Sequence, residues 1–259
     1  MTPEEVELLS ELTIVIPTYN RPLELERTIE YWRDLPVTVH ILDGSEKPWF
    51  PVGVLPGTSK ITYHHFPQIV DEDWKDNYIR RMKFASELCN SRFVALCSDD
   101  DFFTVDGLKI ALKSLRDDIC DVVLGKSAQY LFRDGKFEWK RVNFTWRSDD
   151  AASSKDFSVR YRSIRRGSTY YGIFKSKYWK ELRLSSVEEK FSNASAIENI
   201  SDYLSKVLCR LLVIQEYLWV TNYPDKTYKN SPFKLEKFSS WLHDDKSRHE
   251  VERFIYVLE

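Results

Sequence analysis

The sequence predicts an α/β fold in which helices flank an open, mostly parallel β-sheet. Apolar runs at residues 12–16 and 37–42 have the length of buried strands, and a helical pattern between them starts at Pro22 and stops before Pro36. A strand–helix–strand unit of this kind lays its two strands side by side and parallel. The apolar run at 93–97 continues the pattern, so we expect the sheet to occupy the first half of the chain.

The next elements follow in chain order. Residues 61–66 predict a third strand, and a helix comes after it. Four residues share one face of that helix: Trp74, Tyr78, Met82 and Ala85. After the strand at 93–97, the pattern predicts a helix at about 105–115 and a strand at 122–124.

The second half has a different texture. Residues 129–132 and 137–142 flank an Asp-Gly pair, which is a strong hairpin signal and indicates antiparallel structure. The polar stretch at 147–156 predicts a loop, and a helical pattern at about 194–217 predicts a long C-terminal helix. We expect a single domain, because 259 residues leave little room for two equal ones.

Composition and charge exclude several classes of function. The 38 Lys and Arg against 40 Asp and Glu give a net charge of −2, so no global charge indicates a nucleic-acid partner. No apolar stretch approaches the length of a transmembrane segment, and the first residues are too acidic for a secretory signal. Four scattered cysteines fit neither a zinc knuckle nor a disulfide framework. We therefore expect a cytoplasmic protein, and peripheral membrane contact stays open.

Three consecutive carboxylates, Asp99, Asp100 and Asp101, come directly after the strand predicted at 93–97. Ligands of open parallel sheets bind beyond the carboxyl ends of the strands, so this is a place where chemistry is expected. Adjacent carboxylates repel one another unless a cation or solvent relieves them. Oxygen ligands of this kind suit Mg²⁺ or Mn²⁺. The alternative is a solvated loop whose last Asp caps the next helix.

Two further loops are expected at the same edge of the sheet. Residues 17–21 follow the first strand, and residues 43–45 follow the second. A carboxylate such as Asp43 is suited to accept hydrogen bonds from a base or a ribose, and Gly44 permits close approach of the backbone. Ordinary turn chemistry is the alternative explanation for each loop.

Three segments carry a resemblance to a known family: LTIVIPTYNRP (12–22), ILDGS (41–45) and VALCSDDDF (94–102). In this order and spacing they resemble the GT-A glycosyltransferases of the family 2 type. The closest likeness is to the bacterial subgroup with a triple-Asp version of the DxD motif. The resemblance covers the first half of the chain well and the remainder loosely.

The resemblance implies a GT-A fold, which is a Rossmann-like open mixed sheet. It implies that residues from about 10 to 126 bind a nucleotide-diphospho-sugar, with a UDP-sugar favoured. Residues from about 127 to 259 would then form the acceptor side, with helical structure and a glycan or other hydroxyl compound as acceptor. It implies Mn²⁺ or Mg²⁺ as the cofactor, held by Asp101 and Asp99. The donor-binding residues implied by the match are Pro17, Thr18, Tyr19, Asn20, Arg21, Asp43, Gly44, Arg81, Asp99 and Asp100.

The resemblance also implies a catalytic base from an acidic pair in the second half. The matching region is AIENISDYL (196–204), in which Glu198 and Asp202 are four residues apart on one helix face. Either carboxylate is suited to deprotonate the acceptor hydroxyl, and Asp202 is preferred. The usual adjacent Glu-Asp pair is absent, which leaves the base and the stereochemical outcome open. An exposed helix with ordinary acidic residues is the alternative.

The expected function is metal-dependent transfer of a single sugar in the synthesis of a bacterial surface glycan or glycoconjugate. The Gln-x-x-Arg-Trp signature of processive relatives is absent, which disfavours a polymerising synthase. Two alternatives stay open. One is a nucleotidyltransferase, which would release pyrophosphate, and the other is a binding module of degenerate transferase fold.

The densest basic and aromatic stretch contains four arginines and three tyrosines: Arg160, Arg162, Arg165, Arg166, Tyr161, Tyr170 and Tyr171. Arginines beside an active site are suited to bind a diphosphate leaving group or an anionic acceptor. A solvated strand face is the alternative, and no recognisable RNA-binding module accompanies the stretch.

Overall fold

The computed structural model of the chain describes residues 1–56, 60–133, 136–144, 153–156, 158–160, 169–188, 191, 193–222 and 238–258. Within these ranges ten strands form one mixed sheet. The strands are β1 (Leu12–Thr18), β2 (Thr38–Asp43), β3 (Gly53–Val54), β4 (Ile61–His65), β5 (Phe93–Leu96), β6 (Phe102–Phe103), β7 (Val122–Arg133), β8 (Lys136–Phe144), β9 (Ile173–Lys175) and β10 (Leu211–Asn222). The helices are α1 (Pro3–Ser10), α2 (Pro22–Trp32), α3 (Trp74–Leu88), α4 (Val105–Arg116), α5 (Ser176–Glu188), α6 (Ala194–Leu208), α7 (Phe238–Trp241) and α8 (Arg248–Leu258).

The strand order is β3-β4-β2-β1-β5-β9-β7-β10-β6, with β8 paired to β7. The neighbours β4, β2, β1 and β5 are parallel, whereas β9 runs antiparallel to both β5 and β7. This is the open, mostly parallel sheet that the sequence predicted. The loops that leave β1, β2 and β5 therefore open on the same edge.

Helices cover both faces of the sheet. Successive strand residues point to opposite sides, so the apolar side chains on each face have to be buried by helices. In β1, Ile14 and Ile16 pack with α1, α2 and α4, whereas Val15 packs with α3, α5 and α6 on the other face. All three side chains have no exposed surface. The core thus occupies both faces of the sheet, and the carboxyl edge is left for polar residues.

The predicted hairpin is confirmed, since Phe132 pairs with Phe137 across antiparallel β7 and β8. The long helix expected at 194–217 is wrong. Helix α6 ends at Leu208, and β10 then runs parallel to β7 from the pair of Leu211 with Val122. Residues 211–222 are rich in β-branched and aromatic side chains, and pairing with a neighbouring strand overrides their helical spacing.

Helix α1 was not predicted from the sequence. Its first turn is a capping box, in which Thr2 Oγ1 accepts from the Glu5 N–H and the Glu5 carboxylate accepts from the Thr2 N–H. Most of the loop expected at 147–156 lies outside the described residues. Among the described helices, none has both the length and the apolar character needed to cross a bilayer.

Candidate active site

Three loops meet at the carboxyl ends of β1, β2 and β5. The backbone N–H of Gly44 donates to Thr18 O over 3.0 Å, and Thr18 Oγ1 donates to Asp99 Oδ2 over 2.7 Å. Tyr19 follows in the first loop and is half-buried. Direct hydrogen bonds therefore join the loops that follow all three strands.

The acidic cluster, Asp99 to Asp101, is almost enclosed, with 4, 7 and 3% of each residue exposed. The indole N–H of Trp219 donates to Asp101 Oδ2, and the backbone N–H of Asn222 donates to Asp101 Oδ1, each over 3.1 Å. The side-chain amide of Asn222 also donates to Asp100 Oδ2 over 3.2 Å. Neutral donors from the end of β10 thus orient two of the three carboxylates.

Arg21 makes direct ion pairs with the acidic cluster. Its Nη1 lies 2.6 Å from Asp99 Oδ1, and its Nη2 lies 2.6 Å from Asp100 Oδ2. The preceding residue, Asn20, has a left-handed backbone with φ of 54°, a conformation that asparagine tolerates better than most residues. Its N–H donates to Ser45 Oγ over 2.8 Å, which fixes this turn against the second loop. The turn directs Arg21 across β1 to the end of β5.

Burial in the acidic cluster disfavours the charged form of two of its carboxyl groups. Burial raises the pKa of Asp99 to about 7; Arg21 opposes this rise and Asp100 adds to it. The pKa of Asp101 is also raised, first by burial and then by the charge of Asp100. Carboxylate oxygens with unmet negative charge are the donors that hard divalent cations prefer.

Within the described ranges, no three or more His, Cys, Asp or Glu side chains are arranged as a set of metal ligands. A closed protein cage of the structural zinc type is therefore not formed by these residues. Mg²⁺ is usually held by one or two carboxylates together with water and substrate phosphates. The acidic cluster can supply those carboxylates.

Asp43 lies at the expected edge but has no exposed surface. Its Oδ1 accepts from the Ser45 N–H over 2.8 Å and from Ser45 Oγ over 2.5 Å, and its Oδ2 accepts from the Tyr63 hydroxyl. Both carboxylate oxygens are thus occupied by the loop and by β4. Asp43 holds the shape of the second loop.

Arg81 is 6% exposed and ties the first two loops together. Its Nη1 donates to Thr18 O and to Leu42 O, each over 2.9 Å. Burial lowers the pKa of Arg81 to about 10, so the guanidinium keeps its charge at neutral pH. Gly44 makes room for it, because a Cβ there would lie 2.6 Å from Asn77 Oδ1 and 3.0 Å from Arg81 Cζ.

A cavity of about 180 Å³ opens beside the acidic cluster. Pro17 and Ser98 line it from the ends of β1 and β5, and Tyr78 lines it from α3. Tyr171 and Glu198 line it from the second half of the chain. The cavity therefore joins the two halves at the point where the acidic cluster begins.

The two acids proposed as the base differ in their surroundings on α6. Asp202 Oδ1 accepts from the Thr169 N–H over 2.5 Å, and Asp202 Oδ2 lies 2.6 Å from Lys206 Nζ. Glu198 is exposed and lines the cavity, where its charge adds to burial in raising the pKa of Tyr171. Asp202 anchors the segment before β9, whereas Glu198 faces the cavity.

Some residues at the site were missed by sequence reasoning. Thr28 and Tyr130 donate to the backbone carbonyls of Asp99 and Asp100, each over 2.5 Å. Trp219 and Asn222 were missed because the helix expected at 194–217 overlaps the start of their strand, and no strand was predicted there. The β-branched and aromatic run in 211–222 was the available signal for that strand.

Arg160, the first arginine of the basic stretch, is buried. It donates to three backbone carbonyls, including Val207 O over 2.5 Å, and so holds the chain that leads into β9 against the end of α6. The other three arginines of the stretch lie outside the described residues.

Comparison with solved structures supports the same architecture. S. aureus TarS 1–349 superposes with a TM-score of 0.53 at 13% identity, covering 95% of this chain and 70% of that one. The same TarS fragment in complex with UDP-GlcNAc gives a TM-score of 0.53 at 14% identity, covering 95% of this chain and 72% of that one. At such identity the likeness shows the fold, which is the GT-A fold. No curated protein sequence matches the chain.

The sequence itself matches the profile described as Glycosyl transferase family 2 over residues 13–182. The matched span begins in β1 and ends in α5, so it contains all three loops of the site and the acidic cluster. The chain therefore belongs to glycosyl transferase family 2 and is a glycosyltransferase.

Proposed function

We propose that this glycosyltransferase uses a nucleotide-diphospho-sugar, with a UDP-sugar favoured, and transfers the sugar to a hydroxyl of a glycan or similar acceptor. The observation that carries the proposal is the acidic cluster, which is bonded to the loop after β1 and adjoins a cavity lined by Glu198. The TarS fragment of similar fold was solved with UDP-GlcNAc, which supports a uridine nucleotide. We place the reaction in the cytoplasm, in the synthesis of a bacterial surface glycan.

We assign Mn²⁺ or Mg²⁺ to the acidic cluster, with Asp101 as the direct ligand and Asp99 beside it. The raised pKa values of both carboxyl groups support this assignment, because burial, and to a lesser extent repulsion from Asp100, disfavours their negative charge and an added cation would offset both effects. When bound, the cation neutralises the diphosphate of the departing nucleotide. Arg21 and Asp100 complete the charged wall of the donor site.

For the donor, we assign two kinds of role. Pro17, Thr18, Tyr19 and Asn20 form the loop that would contact the nucleoside. Three buried residues shape that contact from behind: Asp43, Gly44 and Arg81. Burial and hydrogen bonding support the role of the second group, since Asp43 has no exposed surface and Arg81 bonds to the carbonyls of the first two loops.

We assign the role of base to Glu198 rather than to Asp202. Glu198 lines the cavity, whereas both oxygens of Asp202 are engaged by Thr169 and Lys206. The acceptor hydroxyl gives its proton to Glu198, and its oxygen forms a bond to the anomeric carbon of the donor sugar. The bond from that carbon to the diphosphate oxygen breaks, and the nucleoside diphosphate leaves with the bonding electrons.

The proposal is tested by incubating the protein with a panel of UDP-sugars and Mn²⁺ and identifying the nucleotide product. We expect that one UDP-sugar of the panel yields UDP. Hydrolysis of the donor by water reveals this preference even without an acceptor. A nucleotidyltransferase would instead cleave between the two phosphates of the UDP-sugar and release a sugar 1-phosphate, or would release pyrophosphate when given UTP and a sugar 1-phosphate. Binding of nucleotide without turnover in the presence of candidate acceptor glycans would indicate a binding module.

A further inference from the structure

Arg21 covers the solvent side of the acidic cluster. Its guanidinium places one nitrogen on Asp99 and another on Asp100, each at 2.6 Å, so that it bridges two carboxylates rather than pairing with one. The Arg21 side chain is 27% exposed, whereas those of Asp99 and Asp100 are 5% and 9% exposed. A cation that binds these two carboxylates must share them with Arg21 or displace it.

Several neutral groups also donate to the three carboxylates. They include the Thr18 hydroxyl, the Trp219 indole and the backbone and amide of Asn222. Such groups orient a carboxylate but leave its charge in place. Arg21 therefore provides compensating charge as well as a hydrogen-bonding partner.

The backbone holds Arg21 in reach of this position. Asn20 turns the chain with a positive φ, and Arg21 then stands at the start of α2, ahead of Pro22. The side chain beyond this anchored backbone can change rotamer without disturbing either element. Arginine also binds phosphate through two parallel hydrogen bonds as well as it binds carboxylate.

We infer that Arg21 is the resident counter-ion of the acidic cluster, that it opposes a divalent cation by occupying Asp99 and by its own positive charge, and that the donor diphosphate relieves this competition by taking over the guanidinium. The inference rests on the proposed function, because it requires that the cluster binds a cation together with a nucleotide diphosphate. Its consequence is that cation and nucleotide bind cooperatively, each strengthening the other by the same factor.

The competition has a direct electrostatic reason. A divalent cation and a guanidinium on the same carboxylates repel each other, so the cation binds the nucleotide-free protein weakly. A diphosphate adds negative charge and new acceptors at the site, and Arg21 then exchanges carboxylates for phosphate oxygens. Arg21 sets how strongly cation binding depends on the nucleotide.

The test is calorimetric titration of Mn²⁺ into the full chain, with and without saturating UDP. We expect UDP to strengthen Mn²⁺ binding to the unaltered protein by about tenfold or more, within the usual range of coupling between sites. Arg21→Gln should bind Mn²⁺ alone more tightly than the unaltered protein does, by about threefold to tenfold, and should gain less from UDP. Arg21→Lys keeps the positive charge but cannot bridge two carboxylates in the same way. Its affinity for Mn²⁺ should lie between those of the unaltered protein and Arg21→Gln.

Arg33→Gln is the matched control. Arg33 is an exposed arginine at the other end of α2 that pairs with Glu30, and its loss should leave both titrations unchanged. Thermal unfolding checks that each variant is folded, and Arg21→Lys decides the question if Arg21→Gln is not. The inference is wrong if the folded Arg21 variant binds Mn²⁺ alone no more tightly than the unaltered protein does, or if UDP still strengthens its Mn²⁺ binding to the full extent. In that case the proposed function stands. If the unaltered protein binds no Mn²⁺ even with UDP, the proposed metal dependence fails and the inference fails with it.

Discussion

The indole nitrogen of Trp219 lies 3.1 Å from Asp101 Oδ2, although 118 residues separate the two in the chain. The Trp219 ring also stacks on Tyr171, with centroids 4.5 Å apart and planes inclined by 17°. Parallel pairing of β10 with β7 brings Trp219 to this position. One side chain therefore connects the acidic cluster to the wall of the adjacent cavity.

Replacing Trp219 by Phe should weaken binding of UDP in the presence of Mn²⁺ by about tenfold. An aromatic ring remains to face Tyr171, but Asp101 loses a hydrogen bond to a charged acceptor, which is typically worth about 1.5–3 kcal/mol. Calorimetry measures the change. Trp139→Phe, at an exposed position on β8, is the control. Equal affinities for UDP in the two variants would show that Trp219 does not contribute to nucleotide binding.

Glu198→Gln should lower the turnover number by about 100-fold or more while UDP binding is retained, because a general base typically contributes that much. Asp202→Asn should instead lower the free energy of unfolding, since it loses its ion pair with Lys206 at one end of α6. Steady-state kinetics and urea denaturation separate these effects. If Glu198→Gln kept full turnover and a stable Asp202→Asn lost it, the catalytic base would be Asp202 rather than Glu198.

Gly44→Ala should destabilise the protein by about 1–3 kcal/mol, the usual cost of overpacking. The added Cβ would lie 2.6 Å from Asn77 Oδ1 and 3.0 Å from Arg81 Cζ. The same substitution in an Asn77→Ala background should cost less, because the closest atom is gone. Denaturant titration of both single variants and the double variant measures the difference, and purely additive costs would show that the Asn77 contact is not responsible.

The carboxylate of Asp121, just before the start of β7, should make the stability of the protein depend on pH. Asp121 accepts from Arg210 Nε over 2.9 Å and from Lys175 Nζ over 3.0 Å. Burial alone would raise the pKa of Asp121, but the hydrogen bonds from Arg210 outweigh it and hold the pKa well below its usual range. A carboxylate with a depressed pKa in the folded state stabilises the protein above its unfolded pKa of about 4 and loses this effect as the pH falls below that value.

Asp121→Asn should therefore flatten the decline in the free energy of unfolding between about pH 5 and pH 3. Urea denaturation at a series of pH values measures that slope. Asp106→Asn changes a carboxylate whose side chain is 91% exposed and should keep the slope of the unaltered protein. Equal slopes for Asp121→Asn and the unaltered protein would contradict the assignment.

Much of the first half was predictable because its signals are local. Pro22 starts α2, apolar runs mark β1 and β2, and two residues separate the end of β5 from the acidic cluster. Placement of the three loops then follows from the rule that parallel strands share a carboxyl edge. The sequence could therefore predict where the candidate site lies and which loops form it.

The contacts within the site could not be predicted in the same way. The bridge from Arg21 to Asp99 depends on the left-handed backbone of Asn20, which the residue type permits but does not require. The enclosure of Asp43 depends on the Tyr63 hydroxyl from a separate strand. Trp219 reaches Asp101 through strand pairing over a long sequence separation, and the helix expected at 194–217 concealed the first part of the strand that carries it.

The metal assignment at Asp101 is tested most directly by calorimetric titration of UDP with and without Mn²⁺, in the unaltered protein and in Asp101→Asn. The substitution keeps the size of the side chain and removes one negative charge. We predict that Mn²⁺ strengthens UDP binding to the unaltered protein and that Asp101→Asn loses this increment while still binding UDP alone. An increment of the same size in both proteins would contradict the central claim that the acidic cluster binds the cation through Asp101.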